Sequence, residues 1–405
     1  MHAAAPRRWQ VLIGAHPNAP LVAGLPPAVR SAIRAAQELT PDRIIIAGAD
    51  ESFLRKWSFQ LRVGGAPVLG DKIGTAALDA SLPLLALEAH SFPDEGGLRD
   101  FSAACEAIAD KSNARRILAG RPVAAVCFRP ASLGAGTKPS AYVLSQALSE
   151  PAEEIEAGHF FDARGQAAEA AAETLYSRLV KDTDGYIARF DRALSLVITR
   201  SLLPFPVTPN HITTASLLLG LLGAWWLASP SEGTQFQGAL LLWFCCLLDG
   251  CDGEVARLKH LSTPWGAAYD VAADHVAHLA IFVALPIGVA RLHPGGDWVL
   301  PGLLIVTGFL ACGFSVWWLV LRIPDGQRGP LAVTVERIAS RDYVYLILIL
   351  TAIGRLDWFL WAAAFGSHAF NVWLWRQPPD MISAPVTPSP TISERRVPRS
   401  ESESS

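Results

Sequence analysis

Four aspartates stand out in an otherwise apolar stretch of the sequence, residues 247–275. Asp249 and Asp252 lie near the end of one predicted helix, and Asp270 and Asp274 lie near the beginning of the next. Residues four apart share a helix face, and a short connection makes the two helices antiparallel neighbours, so the two acidic faces can meet. Clustered carboxylates are hard oxygen ligands that suit divalent cations such as Mg²⁺ or Mn²⁺. The spacing therefore predicts a site for two such cations, an arrangement suited to displacement at phosphorus.

Small residues and an arginine accompany the carboxylates. Gly253, Ala256 and Gly266 have little or no side chain, which permits close approach of a ligand or of a neighbouring backbone. Arg257 can bind a phosphate through its planar fork of donors. The alternative, an acidic helix pair held together by salt bridges, is disfavoured because only Arg257 and Lys259 are near enough in sequence to pair with four acids.

The spacing of these eight residues is similar to the signature of the CDP-alcohol phosphotransferase family. The match reads Asp249-x-x-Asp252-Gly253-x-x-Ala256-Arg257, then eight intervening residues, then Gly266-x-x-x-Asp270-x-x-x-Asp274. The resemblance implies a domain of six transmembrane helices, usually a homodimer. It also implies an enzyme that transfers a phosphoryl-alcohol from a CDP-alcohol donor to the hydroxyl of an alcohol acceptor and releases CMP.

The resemblance further implies a role for each signature residue. The ligands of two divalent cations, Mg²⁺ or Mn²⁺, would be Asp249, Asp252, Asp270 and Asp274. Asp274 would also be the catalytic general base for the attacking hydroxyl, because an alcohol is a poor nucleophile until it loses its proton. The CDP-binding residues would be Asp249, Gly253, Ala256, Arg257 and Gly266.

Three flanking segments resemble one branch of this family, in which a cytidylyltransferase is fused to a di-myo-inositol-phosphate-phosphate synthase. In that branch Arg189, Asn210 and Arg341 would contact the acceptor or the nucleotide. The alternatives are that Asn210 is the N-cap of a helix and that both arginines are ordinary interfacial cations. The similar segments are residues 181–189, 208–210 and 341–343.

The composition indicates that this site lies in a membrane. Of 405 residues, 51% are hydrophobic and only 18% are charged, against about 25% charged in a typical soluble domain. The net charge of −3 provides no basic field, so we expect no nucleic-acid partner. Six apolar segments approach the about 20 residues that span a bilayer. They cover residues 211–228, 237–258, 267–290, 298–321, 343–360 and 358–375.

The basic residues orient these predicted spans. Arginines and lysines concentrate before span 1, after span 2, between spans 4 and 5, and after span 6, and such residues favour the cytoplasmic side. We therefore expect a multi-pass protein of the inner (plasma) membrane, in contact with membrane lipid, with both termini and the active site facing the cytoplasm. The apolar run behind Arg7 and Arg8 is too short to predict a cleaved signal peptide.

The first part of the chain predicts a different fold class. Short apolar runs alternate with helical stretches, which is typical of an α/β domain with a mainly parallel sheet. The predicted strands cover residues 9–14, 43–48, 84–88 and 123–128, and the predicted helices cover 26–39, 100–110 and 161–181. This pattern fits a nucleotidyltransferase-like domain.

The chemistry of that domain does not fit nucleotidyl transfer. Such an enzyme binds its triphosphate with the backbone N–H groups of a Gly-rich loop and with a cation. Residues 14–20 contain one glycine, two prolines and no lysine or arginine. Glu88 and Asp94 are the candidate metal-binding acids after the strands. We therefore expect an inactive domain that recognises a partner or positions the acceptor. The alternative is a bifunctional enzyme that also makes its CDP-alcohol from CTP.

The predicted organisation is an N-terminal α/β, degenerate nucleotidyltransferase-like domain followed by an all-α transmembrane domain. The first covers residues 1–165, a linker and juxtamembrane helix cover 166–200, the six-helix CDP-alcohol phosphotransferase domain covers 201–376, and a disordered tail covers 377–405. A cation-conducting transporter is a distant alternative. It would spread its acids through the depth of several spans, whereas these four lie near one end of two spans.

Overall fold

The computed structural model describes most of the chain, in two compact units. Unit 1 comprises Met1–Ser216 and Leu247–Ala273, and unit 2 comprises Leu217–Cys246 and Asp274–Ser405. The described residues are 9–16, 18–66, 78–79, 81–108, 112–128, 138–180, 186–324, 327–338 and 343–383.

Unit 1 begins with an α/β region, as the alternation of apolar runs predicts. Its strands are β1 (Gln10–Gly14), β2 (Arg43–Ala47), β3 (Leu84–Leu87), β4 (Ser91–Pro93), β5 (Ala114–Leu118), β6 (Arg121–Cys127), β7 (Glu153–Glu154) and β8 (Phe160–Asp162). Its helices are α1 (Pro27–Leu39), α2 (Glu51–Val63), α3 (Gly97–Glu106), α4 (Ala141–Ser149) and α5 (Gln166–Ser177). The predicted α/β class of this region is confirmed.

The main sheet is mixed rather than mainly parallel. Its strand order is β2-β1-β3-β6-β5-β7, with β4 and β8 paired separately. Strand β1 pairs in parallel with β2 and β3, whereas β6 is antiparallel to both β3 and β5. The reversal follows from a tight turn between β5 and β6, where Ala119 and Gly120 both have positive φ (49° and 74°). Two such residues form the turn that joins adjacent antiparallel strands.

The first strand shows why this sheet is covered on both faces. Val11 and Ile13 point into one apolar cluster together with Val29 and Ile33 of α1, and Leu12 points into a second cluster on the opposite face. Alternate residues of a strand face opposite sides of the sheet, so a strand that is apolar throughout requires a covering layer on each side. The short apolar runs of the sequence therefore become buried strands.

The predicted helix over residues 161–181 is wrong at its beginning. Phe161 pairs with Phe92 in the two-stranded sheet, and their rings stack with centroids 5.1 Å apart. Gly165 has a φ of +51°, a backbone conformation that a helix interior does not adopt. The helix α5 consequently begins only at Gln166.

Unit 1 also contains the helical segments that hold the candidate site. After α6 (Tyr186–Leu202), helices α7 (Pro209–Leu227), α8 (Glu232–Leu258) and α9 (Pro264–Leu292) each contribute residues to both units. The beginning of α7, the C-terminal end of α8 and the N-terminal end of α9 belong to unit 1. A buried apolar cluster that includes Ile212, Cys251 and Val255 holds the beginning of α7 against the C-terminal end of α8.

The regular elements among the described residues of unit 2 are helices, joined by short loops, with one isolated bridge between Arg328 and Ser383. Two of the helical segments, Pro264–Leu292 and Val299–Leu321, are long and apolar enough to cross a membrane. The apolar stretch between residues 343 and 375 is divided at Gly354, whose φ of +68° is that of a residue that ends a helix. The elements after α9 are α10 (Val299–Val316), a π-helical turn (Trp317–Leu321), α11 (Pro330–Ile338), α12 (Tyr343–Ala352), α13 (Leu356–Trp375) and α14 (Pro379–Ile382).

Candidate active site

Helices α8 and α9 bring the predicted carboxylates together. Asp249 and Asp252 are buried on α8, with 8% and 5% of their surface exposed. One carboxylate oxygen each of Asp249, Asp270 and Asp274 lies within 4.8 Å of the others, and Asp274 follows Asp270 by one turn of the continuous helix α9. Oxygens on opposite sides of a bound Mg²⁺ are about 4.2 Å apart, and about 5 Å apart around Ca²⁺. The three-carboxylate group therefore has the size and the donor chemistry of a divalent-cation site.

A cavity of about 200 Å³ lies beside these carboxylates, within unit 1. The cavity lies where the signature faces of α8 and α9 meet, so its wall combines residues from both helices. The signature residues in that wall are Asp252, Gly253, Ala256 and Arg257 of α8 and Gly266 and Asp270 of α9. The structure thus brings six of the eight signature residues around a single cavity.

Gly266 shows why a residue without a side chain is required in this wall. A Cβ atom added there would lie 2.9 Å from Oγ1 of Thr263 and 3.3 Å from Oδ1 of Asn210. The Asn210 side chain therefore reaches the cavity wall. Helix α7 begins at Pro209, so Asn210 lies within its first turn and does not cap it. The alternative of Asn210 as a helix N-cap is wrong.

Thr213 is a buried neighbour of the carboxylates that sequence reasoning missed. It is 2% exposed, and its hydroxyl donates a hydrogen bond to Oδ2 of Asp252. Such a donor orients a ligating carboxylate and tunes its affinity for a metal. No spacing rule pointed to Thr213, because it lies on α7, outside the signature.

Glu254 is a second residue that sequence reasoning missed. It is fully buried and accepts hydrogen bonds from Oγ of Ser195 at 2.6 Å, Oγ1 of Thr199 at 2.7 Å and Nη1 of Arg192 at 3.2 Å. These three donors lie on one face of α6, whose opposite face exposes Phe190. The signal was available in the sequence, since polar residues at 192, 195 and 199 have helical spacing.

Of the two arginines predicted to contact the acceptor or the nucleotide, the structure describes Arg189 but not Arg341. Arg189 is exposed on α6 and is not part of the cavity wall. Arg341 lies outside the described residues. The same is true of residues 384–405, which form most of the tail predicted to be disordered, and of residues 181–185 before α6. The roles predicted for these two arginines stay predictions.

The acids of the α/β region are engaged by cations of the same chain. Glu88, which follows β3, accepts a hydrogen bond from Nη2 of Arg164 at 2.8 Å and one from the backbone N–H of His90. Asp94 accepts two hydrogen bonds from the guanidinium of Arg178. A carboxylate bonded in this way already has its countercharge within the protein.

The helical part of the chain matches a known family. Residues 206–373 match the model of the CDP-alcohol phosphatidyltransferase family, and this segment contains both signature helices and the cavity between their ends. The resemblance read from the spacing of the signature residues is thereby confirmed. Residues 206–373, which follow the α/β region, are thus similar to the CDP-alcohol phosphatidyltransferase family.

Curated relatives match over parts of their length. A protein of Rubrobacter xylanophilus named bifunctional IPC transferase and DIPP synthase is 36% identical over 108 residues, which cover 26% of this chain and 24% of that protein. A protein of Archaeoglobus fulgidus with the same name is 29% identical over 205 residues, which cover 48% of this chain and 39% of that protein. The matches therefore span well under half of these relatives.

A solved structure of Mycobacterium tuberculosis phosphatidylinositol phosphate synthase with CDP-DAG bound is also similar. It is 21% identical, with a TM-score of 0.36, and the alignment covers 46% of this chain and 96% of the solved chain.

Proposed function

We propose that residues 201–376 form an integral membrane CDP-alcohol phosphotransferase. The enzyme moves a phosphoryl-alcohol from a CDP-alcohol to an acceptor hydroxyl and releases CMP, in a synthesis of the phospholipid or inositol-phosphate type. The observation that carries the proposal is the group of carboxylates on α8 and α9 beside a cavity walled by six signature residues.

Four carboxylates would hold two divalent cations, Mg²⁺ or Mn²⁺. These ligands are Asp249, Asp252, Asp270 and Asp274, and their oxygen donors suit hard cations. When bound, the cations would supply positive charge to the diphosphate of the donor and to the departing CMP. Thr213 holds Asp252 in place through its hydrogen bond.

The protein's own residues would then guide the transfer. Asp274 accepts the proton of the acceptor hydroxyl. As this proton leaves, the oxygen of the acceptor hydroxyl forms a bond to the phosphorus that carries the alcohol. The bond from that phosphorus to the oxygen of CMP breaks, and CMP leaves. Arg257 binds a phosphate of the donor through its fork of N–H donors. Gly253 and Gly266 leave the space in which the nucleotide can approach the backbone.

The relatives favour inositol chemistry for the substrates. A Mycobacterium marinum relative, 34% identical over 88 residues, is named phosphatidylinositol phosphate synthase. We therefore propose CDP-diacylglycerol and CDP-inositol as the first donors to test, each against a panel of acceptors that includes inositol phosphate and glycerol phosphate. The donor that supports CMP release identifies the donor class.

The setting that we propose is the inner membrane. We propose six spans and a homodimer from the resemblance to the family. We propose a cytoplasmic position of both termini and of the active site from the distribution of basic residues. The two long apolar helices and the family match support a membrane protein.

We propose that the α/β region of residues 1–165 no longer transfers nucleotides. Support comes from the composition of residues 14–20, which contain one glycine and no lysine or arginine, and from the ion pairs that engage Glu88 and Asp94. The test incubates the full-length protein with CTP and inositol phosphate and measures pyrophosphate release. No release above that of a boiled sample is expected, whereas clear turnover would establish the bifunctional alternative.

The decisive test of the transferase proposal is the substitution Asp270→Asn. It removes one negative charge from the group that would hold the cations, so CMP release should fall by at least about 100-fold. The Mg²⁺ dependence should disappear with it. The matched control is Asp357→Asn on α13, where the carboxylate pairs with Arg355, and this variant should keep its activity. Full turnover by the Asp270 variant would contradict the two-metal mechanism.

A further inference from the structure

Arg30 of the α/β region reaches the C-terminal end of the site helix α8. Arg30 lies on α1 of the α/β region. Its side chain is almost fully buried (3% exposed), which is unusual for an arginine. Its Nη2 donates to the carbonyl oxygen of Leu258 at 2.9 Å, across 228 residues of sequence. The same guanidinium donates to the carbonyl oxygens of Val22 and Ala23. A buried arginine is thus fully committed to three backbone carbonyls, one of them in α8.

The carbonyl that Arg30 binds is at a point where a helix needs a donor. The last carbonyls of an α-helix have no partner within the helix and carry a partial negative charge, which a cation stabilises. Leu258 is the last residue of α8. Arg30 therefore acts as an external cap for this helix.

The turn that follows Leu258 is strained. The backbone N–H of Leu261 donates to the carbonyl oxygen of Ala256 at 2.8 Å, and that of His260 donates to Arg257, which is the bonding pattern of a glycine-type helix end. His260 has a φ of +51°, where a side chain is disfavoured and glycine is usual. The turn therefore depends for its conformation on contacts with residues outside α8 and the turn itself.

A second set of contacts holds the same turn. Lys259 is 4% exposed and donates from Nζ to the carbonyl oxygen of Phe205 at 2.7 Å. A Cβ atom added to Gly24 would lie 3.2 Å from Cε of Lys259, so the α/β region packs tightly here. Ala23 and Leu258 belong to one buried apolar cluster.

This turn leads directly into the cavity wall. Leu261, Ser262 and Thr263 all line the cavity. Oγ1 of Thr263 accepts the backbone N–H of Gly266 at 2.9 Å, which sets the start of α9. The residues that Arg30 fixes are therefore the connection between the two halves of the signature.

We infer that Arg30 is a positioning residue for the transferase cavity, and that the α/β region serves as a scaffold that holds the α8–α9 turn against a bound cytidine nucleotide. The inference rests on the proposed function of the cavity. Arg30 does not touch the nucleotide; it acts through Leu258 and the turn. Loss of Arg30 should weaken nucleotide binding much more than it slows the chemical step, because the carboxylates of α8 and α9 are unchanged.

The test compares Arg30→Met with Arg34→Met in the purified full-length protein. Methionine retains the apolar stem and removes the donors. Arg34 lies one turn further along α1 and pairs with the exposed Glu95, so it is the matched control. Three quantities are measured: the Kd of CMP by equilibrium dialysis, the KM and kcat for the CDP-alcohol donor, and the rate of tryptic cleavage after Lys259.

For Arg30→Met we expect the Kd of CMP and the KM of the donor to rise about tenfold, the effect of losing a charged hydrogen bond. The value of kcat should stay within about threefold, and cleavage after Lys259 should accelerate. Arg30→Lys, which retains the charge and one donor direction, should recover part of the affinity. Arg34→Met should behave as the wild type in all three measurements.

The outcomes separate this inference from the proposed function. An unchanged KM and an unchanged cleavage rate in Arg30→Met, or equal effects in both methionine variants, overturn the inference. If Arg30→Met does not fold, Arg30→Lys decides, since wild-type values of KM and cleavage in that variant overturn it as well. If the wild type releases no CMP from any donor, the proposed function fails, while tryptic cleavage still tests whether Arg30 holds the turn.

Discussion

At the scale of single residues, the hydroxyl of Thr213 directly supports one of the carboxylates that we propose as metal ligands. It bonds to Asp252, which lies in the cavity wall but outside the group of three carboxylates with oxygens within 4.8 Å. The carboxylate of Asp252 on α8 therefore depends for its orientation on Thr213 of the neighbouring helix α7. The adjacent Thr214 is exposed and bonds instead to the hydroxyl of Tyr269 at 2.8 Å, which provides a natural comparison.

We predict that Thr213→Val raises the Mg²⁺ concentration required for half-maximal activity by about 10–100-fold, the usual effect of removing such an orienting partner. Valine preserves the shape of the side chain, so the fold should be retained. The measurement is a Mg²⁺ titration of CMP release. Thr214→Val is the control, and an equal shift in both variants would show that Asp252 does not depend on this hydrogen bond.

We predict that the folding stability depends on pH through His260. Burial, reinforced by the charges of Arg30 and Arg34, lowers the pKa of His260 to about 3 from 6.5. Above pH 6.5 the residue is neutral in both states and the full stability is present. Below pH 6.5 the unfolded chain binds a proton that the native state does not, so stability falls by at most about 1.4 kcal/mol per pH unit.

The measurement for His260 is the thermal unfolding of the detergent-solubilised protein at pH 7.5 and pH 5.5. His260→Gly should remove this part of the loss, and it should also raise the Tm at pH 7.5 because glycine adopts the positive φ of this position without strain. The same loss of Tm in both proteins between the two pH values would contradict the assignment.

At the scale of secondary-structure elements, α6 is a helix with its polar face inward. Its buried side chains bond to Glu254 of α8, whereas Phe190 and Val197 are 55% and 64% exposed. Helix α8 correspondingly has two functional faces: one carries the signature residues toward the cavity, and the other carries Cys251 and Glu254 toward α6.

We predict that Glu254→Ala lowers the free energy of unfolding by about 3–5 kcal/mol. The reason is that it removes the buried acceptor of hydrogen bonds from Ser195, Thr199 and Arg192. The control is Glu173→Ala, which removes the exposed ion pair between Glu173 of α5 and Arg200 of α6; such a pair contributes at most about 1 kcal/mol. Thermal unfolding of both variants in detergent is the measurement. Similar Tm values for the two variants would refute the role given to Glu254.

At the scale of the whole molecule, the chain joins an α/β region to a helical region that matches the model of a known family. The hydrogen bond from Arg30 to Leu258 connects the two regions. It caps helix α8 and holds a turn of the cavity wall. The proposed scaffold role therefore gives the α/β region a function that does not depend on nucleotidyl transfer.

The proposed membrane topology is testable with reporter fusions. Fusions to alkaline phosphatase after Gly295, between α9 and α10, should be active because that loop is proposed to lie outside the cytoplasm. Fusions after Arg328 and after Ser383 should be inactive as phosphatase and fluorescent as green fluorescent protein, in keeping with the excess of basic residues there. Active phosphatase at either of the last two sites would contradict the orientation.

The sequence alone was sufficient to predict the α/β class of the first region, the similarity of the second region to a known family, and the residues of its signature. These features depend on local spacing: apolar runs specify buried strands, and residues at i and i+4 share a helix face wherever the helix lies. The helix predicted from residue 161 failed because strand pairing of Phe161 with Phe92 overrides local helix propensity.

The distant residues that support the candidate site became evident only from the packing of the helices. Thr213, Glu254 and Arg30 act through partners 39, 55–62 and 228 residues away. The helical spacing of residues 192, 195 and 199 indicates a polar helix face, but no periodic pattern in a single sequence specifies which distant residue such a face contacts. Their significance arises from burial: a hydroxyl, a carboxylate or a guanidinium removed from water must find a partner within the protein, and which partner it finds depends on how the helices pack.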